Sequence, residues 1–382
     1  MKNQALQPDI CARGTMFFSG ACVASGGVLL TILQERYGFD YEWGGTLLAA
    51  LSVGNLVSAF LTGMLPAYLG DRHTVLLLSA GYMLGFCLMA VSGNPLWLLA
   101  AFFLAGIGKG STLNASNVLA GKAPDRTRSL NLIHAAYAVG ALLSPLFIAA
   151  LSRISWNASM FGFAVCGLLL WLLFSRAGLT AARRISGQAD GDWSFLRSTR
   201  FWILTALIFF QNCTEISVTG WMVTYFKDTG ILPPFWSQGT ITVIWLATLI
   251  GRLAVAFVLP IRSRPRALAV MSVCCLISYM GLMNAHHSIA ALVLLALFGL
   301  SIAGINPTAV ACVGSAMSAR AMGILLPTAG IGAIVMPYIT GAVGARLGIS
   351  AGMMAITAAV AGMLVSSLLL VQLERRAHRK DI

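Results

Sequence analysis

Residues 130–145 read LNLIHAAYAVGALLSP, and the closing motif GALLSP returns in altered form as GAIVMP at residues 332–337. The two motifs are separated by 192 positions, which is about half of the 382-residue chain. The same offset relates Leu113-Asn114 to Ile305-Asn306, and Arg72 to Arg264. Three matches at one offset indicate an internal duplication, a pattern typical of secondary transporters whose repeated helical bundles enclose a binding site at their interface.

The composition around these motifs is that of a membrane protein. Apolar residues make up 58% of the chain, charged residues only 10%, and the mean hydropathy is +0.84. An ordinary soluble domain carries about 25% charged residues, so the composition excludes a cytosolic globular enzyme and a disordered protein. A membrane-spanning helix needs about 20 apolar residues, and twelve of them use roughly 240. We therefore predict an all-α membrane protein without a large soluble domain.

Twelve apolar runs are long enough to span a bilayer as helices, whereas barrel strands alternate over about ten residues. The predicted spans are 13–34, 44–69, 74–92, 96–120, 129–152, 157–175, 200–226, 235–259, 266–284, 289–313, 320–345 and 350–372. The longest break, 176–199, is polar and basic. We interpret it as a cytoplasmic central loop between an N-terminal six-helix bundle (1–175) and a C-terminal six-helix bundle (200–382) with a short basic tail.

The net charge of +13 comes from basic residues in the gaps between apolar runs. With the N-terminus in the cytoplasm, the outward loops hold four of them: Arg36, Arg153, Lys227 and Arg346. The inward loops and tails hold far more, and this bias predicts a multi-pass protein of a bacterial-type inner membrane with both termini cytoplasmic. Because the charges are not clustered on a polar fold, we exclude nucleic acid as a partner.

The loop GMLPAYLGDRHTV at residues 63–75 resembles the signature loop of the major facilitator superfamily. Gly63, Gly70 and Arg72 fit the family pattern, but its usual acidic residue falls on Ala67. The second half carries a counterpart that begins at Gly251-Arg252. The resemblance implies a latch on the cytoplasmic side. Its residues would be Gly63, Gly70, Asp71, Arg72, Gly251 and Arg252.

Other segments are similar to the fucose permease-like proton symporters of this superfamily. They are residues 130–145, the span-seven residues Glu215, Trp221 and Tyr225, and Asn306-Pro307 before GIGAIVMP. The resemblance implies twelve helices in two pseudo-symmetric bundles, a small-molecule substrate, protons as coupling ion, and a monomer in the lipid bilayer. That pattern also has acids in spans one and four. Here span one has none and span four carries Lys109, so the fucose-type proton site does not carry over.

Two charged residues, Lys109 and Glu215, lie deep in predicted spans, where charges are costly and usually mark function. Counting 1.5 Å per residue, their depths differ by only about 4–5 Å. In the superfamily both spans line the central cavity, so the side chains of Lys109 and Glu215 could form an ion pair. Such a pair would be either a coupling device or a static link between the halves. His134 is a third proton-coupling candidate, because imidazole changes protonation near neutral pH. The alternative is that His134 is a core histidine whose hydrogen-bond donor is satisfied by a neighbouring group.

Amides and aromatic rings suit a polyhydroxylated ligand, although they also hold membrane helices together. The candidate substrate-binding residues are Asn55, Asn114, Asn131, Tyr137, Gln211, Asn212, Trp221, Tyr225 and Asn306. The motif GIGKGST at residues 106–112 lacks the spacing of a phosphate-binding loop. His286 and His287 give only a weak metal signal. We predict no cofactor, no metal and no catalytic residues.

Two transport functions fit this pattern. The first is proton-coupled import of a small polar or sugar-like solute. The second is proton-driven export of a small anionic metabolite, siderophore or drug, with Lys109 as the partner of the anion. A receptor or scaffold would be expected to carry a signalling domain, and an intramembrane enzyme would need paired acids or a metal motif. We therefore predict a transporter, with its substrate and direction left open.

Overall fold

The computed structural model describes residues 7–120, 126–179, 194–255, 261–313 and 319–378, and every regular element in these ranges is helical. The helices are α1 (Pro8–Tyr37), α2 (Tyr41–Met64), α3 (Pro66–Val91), α4 (Pro95–Ala120), α5 (Arg126–Ser152), α6 (Trp156–Ser175), α7 (Thr199–Thr229), α8 (Pro234–Leu253), α9 (Arg264–Met283), α10 (Ser288–Ala303), α11 (Ile305–Val313), α12 (Ala319–Gly330), α13 (Gly332–Leu347) and α14 (Ile349–His378). A short 3₁₀ helix, Ser194–Arg197, precedes α7.

Local sequence signals place several of these ends. Proline, whose ring presets a helical φ and which needs no hydrogen-bonded N–H in the first turn, begins α1, α3, α4 and α8. Glycine in the left-handed region ends α1 at Gly38 (φ 67°) and α7 at Gly230 (φ 66°). Eleven segments within the described ranges are long and apolar enough to cross a membrane. The less apolar α8 is the twelfth, in agreement with the predicted all-α fold class.

The first structural unit comprises residues 1–39 and 46–186. In this unit α1 packs against α4, α5 and α6, and α3 packs against α4 and α6. Glycines bring the backbones close together. A Cβ added to Gly140 on α5 would overlap the carbonyl oxygen of Phe17 on α1, and one added to Gly20 would overlap the carbonyl oxygen of Tyr137. The absence of a side chain is therefore what allows α1 and α5 to approach.

The second unit comprises residues 40–45 and 187–382. Its central helix is α7, which packs against α8, α11, α12, α13 and α14, while α10 packs against both α8 and α9. The first turn of α2 belongs to this unit. There the Tyr41 hydroxyl donates a hydrogen bond to the Asp228 carboxylate at 2.6 Å.

The duplication predicted from the sequence recurs in the packing of each unit. A Cβ added to Gly332 on α13 would overlap the carbonyl oxygen of Phe209 on α7. Gly332 and Phe209 each follow their first-half counterparts, Gly140 and Phe17, by 192 positions. The same close approach of two helices is therefore built twice, once in each unit.

Two predicted spans are not continuous helices. The predicted span 289–313 is divided at Gly304 into α10 and α11, and the predicted span 320–345 is divided at Ile331 into α12 and α13. Pro307 has no N–H for the carbonyl of Ala303, so the hydrogen-bond ladder is interrupted at the first break. Glycines flank Ile331 at the second. Most of the predicted central loop, residues 180–193, lies outside the described ranges.

Candidate functional site

Three helix faces of the second unit meet around Glu215. On α7, Gln211, Glu215 and Thr219 follow one another at spacings of four, which puts them on one face of the helix. On α8 the corresponding residues are Trp245, Thr248 and Arg252, and on α10 and α11 they are Phe298, Ile302 and Asn306. The α7 face is polar throughout, whereas the other two faces each carry a polar group at one end and a large apolar group at the other.

A chain of amide hydrogen bonds holds the Glu215 side chain. The Gln211 amide nitrogen donates to the Glu215 carboxylate. The Gln211 amide oxygen in turn accepts a hydrogen bond from the Asn306 amide nitrogen at 2.9 Å. Gln211 is fully buried. Because both ends of its amide are used, its orientation is determined, and α7 and α11 are linked through it.

Arg252 on α8 is the charged neighbour of Glu215 within this unit. A guanidinium nitrogen lies 4.0 Å from a carboxylate oxygen of Glu215, with side-chain exposures of 29% for Arg252 and 21% for Glu215. This distance is an ion-pair contact but is too long for a hydrogen bond. From the sequence, Arg252 is a predicted latch residue. Its position in an apolar run, like that of Lys109, was the signal that could have identified it as an intramembrane charge.

A small pocket lies beside this cluster. It is lined by Glu215, Thr219, Ile244, Trp245, Thr248, Phe298 and Ile302. The residues of α8 and α10 that line it are at most 8% exposed, so the pocket is a shallow recess in this structure. Its wall combines one carboxylate and two hydroxyls with aromatic and aliphatic surface.

Three other predicted substrate-binding residues on α7 serve helix packing in the structure. Trp221 is fully buried, and its indole nitrogen donates to the Pro337 carbonyl at 3.0 Å. Tyr225 is 3% exposed. The Asn212 amide donates to the carbonyl of Ala329 at 3.1 Å. None of the three lines the pocket beside Glu215, and none has a hydrogen bond to Glu215, whereas Gln211 and Asn306 belong to the chain of hydrogen bonds that holds its carboxylate.

The predicted residues of the first unit are distributed over three helices. Lys109 and Asn114 on α4, Asn55 on α2 and Tyr137 on α5 are half-buried, and His134 on α5 is exposed. The side chain of Asn131 lies outside what the structure describes. Asn55 lies against Gly110, the neighbour of Lys109 in sequence. Lys109 and Glu215 belong to different units, and their pairing stays a prediction.

The first-half latch residues surround a break in α3. Gly70 has φ 75° and ψ 159°, a conformation that only glycine adopts readily. Two residues further on, the exposed Arg72 guanidinium donates to the Ser175 carbonyl on α6 at 3.2 Å. Asp71 is half-buried and Gly63 is exposed. The glycine therefore turns the chain so that Arg72 can reach the end of α6.

The second-half latch residues lie within α8 and not in the loop that follows it. Gly251 is buried, and a Cβ added there would stand 2.7 Å from the carbonyl oxygen of Leu300 on α10. This glycine permits close packing of α8 on α10, which brings the neighbouring Arg252 to Glu215. Among the described residues, no group of three or more His, Cys, Asp or Glu side chains could hold a metal ion.

Comparison with known proteins identifies the class to which this fold and site belong. The family model of the Major Facilitator Superfamily matches residues 14–325, and the chain belongs to that family. It is 24% identical over 313 residues to an uncharacterized MFS-type transporter of Yersinia pestis, covering 80% of each chain. It is also 24% identical over 296 residues to a gallate transporter of Pseudomonas putida, covering 67% of this chain and 66% of the relative.

Solved structures show the same fold. A variant of the nucleoside transporter NupG matches with a TM-score of 0.78 at 13% identity, covering 96% of this chain and 99% of that one. A bacterial homolog of the human lysosomal transporter Spinster, in an inward-facing and unoccupied conformation, matches with a TM-score of 0.74 at 13% identity, covering 97% and 98%. The family match and the apolar helices together make the protein a multi-pass membrane transporter. Its likeness to the fucose permease-like branch stays a prediction.

Proposed function

We propose that this transporter moves a small polar organic solute across the inner membrane by alternating access, coupled to protons through Glu215. The observation that carries the proposal is the position of Glu215. Its carboxylate lies on the wall of a pocket, accepts a hydrogen bond from buried Gln211 and stands 4.0 Å from the Arg252 guanidinium. A carboxylate in a membrane helix must be paired or protonated, and intramembrane acids commonly serve as proton relays.

The contact with Arg252 suggests how the proton is exchanged. A nearby positive charge favours the ionised carboxylate, and loss of that charge in a site of low dielectric favours the protonated form. A movement of α8 relative to α7 that lengthens the 4.0 Å contact would therefore lead Glu215 to take up a proton. Return of the guanidinium would release it. Lys109 and His134 are further proton-coupling candidates, and the polar residues predicted from the sequence are candidates for solute contacts.

The test uses purified protein in liposomes that contain a pH-sensitive dye, challenged in turn with sugars, nucleosides and organic anions. We expect at least one solute to exchange across the membrane and to evoke proton movement in the wild type. Glu215→Gln should lose the evoked proton movement but retain solute exchange, because the amide cannot exchange a proton. Exchange without proton movement in the wild type, normal coupling in Glu215→Gln, or no exchange of any of these solutes would contradict the proposal.

The second candidate function is export of a small organic anion. It is supported by the half-buried cations Lys109 and Arg252 and by the similarity to a gallate transporter. Cells that carry the protein distinguish the two functions. An importer raises the cellular content of the solute when the outside is acidic, and an exporter lowers it. The proposed inner-membrane location with both termini in the cytoplasm is tested separately, by reporter fusions.

A further inference from the structure

We infer that the end of the second unit at which α9 begins and α14 ends binds the headgroup of an anionic phospholipid through a cluster of exposed arginines. The inference goes beyond the proposed function, because it depends neither on the transported solute nor on the coupling role of Glu215. It follows from three features of this end: two helices joined side by side, four arginines that bind no other described residue, and exposed apolar faces that run up to those arginines.

Two hydrogen bonds show that α9 and α14 lie side by side and run antiparallel. Ser263, the N-cap of α9, donates its hydroxyl to the Glu374 carboxylate near the end of α14 at 3.1 Å. Further along α9, the Tyr279 hydroxyl donates to the Met353 carbonyl near the start of α14 at 2.7 Å. The beginning of α9 and the last turns of α14 are therefore held together at one end of the unit.

Arginines are concentrated around this junction. Four exposed arginines each lie within three residues of Ser263 or Glu374, and they come equally from the two chain segments. They are Arg262, Arg266, Arg375 and Arg376. Because the hydrogen bond between Ser263 and Glu374 joins the two segments, the four guanidiniums form one positively charged surface, which we call the arginine surface.

The charge of the arginine surface is not neutralised within the described ranges. No ion pair and no side-chain hydrogen bond to another described residue involves any of its four guanidiniums. Glu374, the acid beside them, already accepts the hydrogen bond of Ser263. Each guanidinium carries five N–H donors in a planar fork that matches a phosphate group. The surface therefore has both the charge and the donors to bind a phosphate.

Comparison of the two halves shows that the surface is an addition to the duplicated framework. Arg264 and its first-half counterpart Arg72 each donate to a backbone carbonyl of another helix, at 3.1 and 3.2 Å. The residues two before and two after Arg264 are arginines, whereas the corresponding first-half residues are Gly70 and Thr74. The shared framework therefore uses the central arginine, and the two flanking charges are available for a ligand.

On α9, an exposed apolar face runs up to the arginine surface. Val270, Val273 and Ile277 follow Arg266 by four, seven and eleven positions, which places all four residues on one face of the helix. Val270 and Ile277 are 62% and 66% exposed. Eleven residues of helix extend over about 16 Å, which is about half the thickness of a bilayer core. The face therefore matches the length of the acyl chains of one leaflet.

The exposed face of α14 has the same arrangement. Val365 and Leu369 are exposed, and they precede Arg376 by eleven and seven positions. Because α14 runs antiparallel to α9, both apolar faces end in arginine at the same end of the unit. Arginines at helix ends extend their guanidiniums to the membrane interface, where lipid phosphates lie. The acyl chains of a lipid bound there would lie along the two faces.

A soluble anion such as inorganic phosphate is the competing ligand, because it would accept hydrogen bonds from the same guanidiniums. The apolar faces favour the lipid, since acyl chains make contacts that a free anion lacks. Basic clusters immediately beside membrane helices are typical of anionic-lipid recognition. A zwitterionic phospholipid carries the same phosphate but adds a cation near the arginines, so it should bind more weakly.

The experiment titrates lipids into the purified full-length protein in a neutral detergent and follows the rise in unfolding temperature that a bound ligand produces. The probes are phosphatidylglycerol, phosphatidylcholine with the same acyl chains, and inorganic phosphate. We expect phosphatidylglycerol to reach its half-maximal effect at a concentration at least tenfold lower than phosphatidylcholine, and this preference to shrink at high ionic strength. Equal concentrations for the two lipids would overturn the inference. Phosphate that reproduces and blocks the effect of phosphatidylglycerol would overturn it in favour of a soluble-anion site.

Paired variants locate the site. The α9 pair Arg262→Gln, Arg266→Gln and the α14 pair Arg375→Gln, Arg376→Gln should each raise the half-maximal concentration of phosphatidylglycerol at least threefold. The matched control removes two exposed arginines of predicted outward loops, Arg153→Gln and Arg346→Gln, and should bind as wild type does. A loss of binding in the control equal to that in the other pairs would show that net charge alone attracts the lipid, which contradicts the inference.

Hydrogen exchange of the wild type decides the test if the glutamine variants do not fold. Phosphatidylglycerol, but not phosphatidylcholine, should slow amide exchange at the start of α9 and the end of α14 more than at the other helix ends. Protection that is the same for both lipids, or that falls elsewhere in the chain, would overturn the inference.

Discussion

Gly140 on α5 lies directly against the backbone carbonyl of Phe17 on α1, with no space between them for even a methyl group. The same relationship joins Gly332 to Phe209 in the second unit, each residue 192 positions further along the chain. A pair of helices that pack through a glycine has a contact set by backbone and not by side chains. Such a contact tolerates little change in size at the glycine.

Substitution of these glycines should be costly in both halves. Gly140→Ala and Gly332→Ala should each destabilise the protein by about 1–3 kcal/mol, because the helices must move apart to admit the methyl group. Gly→Leu at either position should abolish transport but leave membrane insertion intact, since leucine is apolar. Thermal unfolding in detergent and a transport assay provide the measurements. Gly26→Ala is the control, because Gly26 is buried with nothing within 4 Å of an added Cβ.

The Glu215–Arg252 contact should appear as an energetic coupling. Arg252→Ala leaves the Glu215 carboxylate without its charged neighbour, and Glu215→Ala leaves the guanidinium without one. The stability losses of the two single variants should therefore add up to more than the loss of the double variant. The difference, which is the coupling energy, should be about 0.5–3 kcal/mol. A double-mutant cycle from thermal unfolding measures this energy. Strict additivity would mean that the two charges do not interact appreciably across 4.0 Å.

The proposed pairing of Lys109 with Glu215 makes a separate prediction about transport. Lys109→Ala alone should impair solute accumulation more than the double variant Lys109→Ala, Glu215→Gln, because the single change removes the proposed partner of Glu215 and leaves its charge less compensated. Uptake assays at a fixed proton gradient compare the two. If both variants accumulate solute as well as wild type, neither residue couples transport to protons. His134 would then be examined by the dependence of transport rate on pH between about 5 and 8.

Gly70 should be intolerant of any side chain. Its φ of 75° and ψ of 159° place it in a region that residues with a Cβ avoid, so Gly70→Ala should cost about 1–3 kcal/mol. The nearby Gly63 is the matched control, since nothing lies within 4 Å of an added Cβ and its φ is not positive. Thermal unfolding of the two alanine variants is the measurement. Equal unfolding temperatures would contradict the role assigned to the break in α3.

The charge distribution predicts the topology. A cytoplasmic reporter fused at Lys380 should be active, and a periplasmic reporter fused there should be silent. A periplasmic reporter placed after Gly38, between α1 and α2, should be active. Reporter activities in cells that express these fusions provide the measurement. Periplasmic activity at Lys380 would require an odd number of spans.

The class of fold and its duplication could both be predicted from the amino-acid sequence. Run length and hydropathy are local quantities, and a backbone inside a bilayer must satisfy its hydrogen bonds within each segment, so an apolar run of sufficient length has to become a helix. The duplication could be detected in the sequence because it, too, depends on a local requirement. A glycine is needed where two helices touch through their backbones. Because each half contains this contact, glycine stands at equivalent positions, Gly140 and Gly332, in both halves.

Which of the polar residues come together in the folded chain could not be predicted from the sequence. Arg252 lies 37 positions from Glu215 and Asn306 lies 95 from Gln211, and whether such groups meet depends on the rotation and depth of separate helices. An amide or indole in an apolar run looks the same whether it faces a cavity or a neighbouring carbonyl. Trp221 and Asn212 were therefore indistinguishable from Gln211 in sequence. The carbonyls of Pro337 and Ala329, contributed by other helices, determine that the two serve packing.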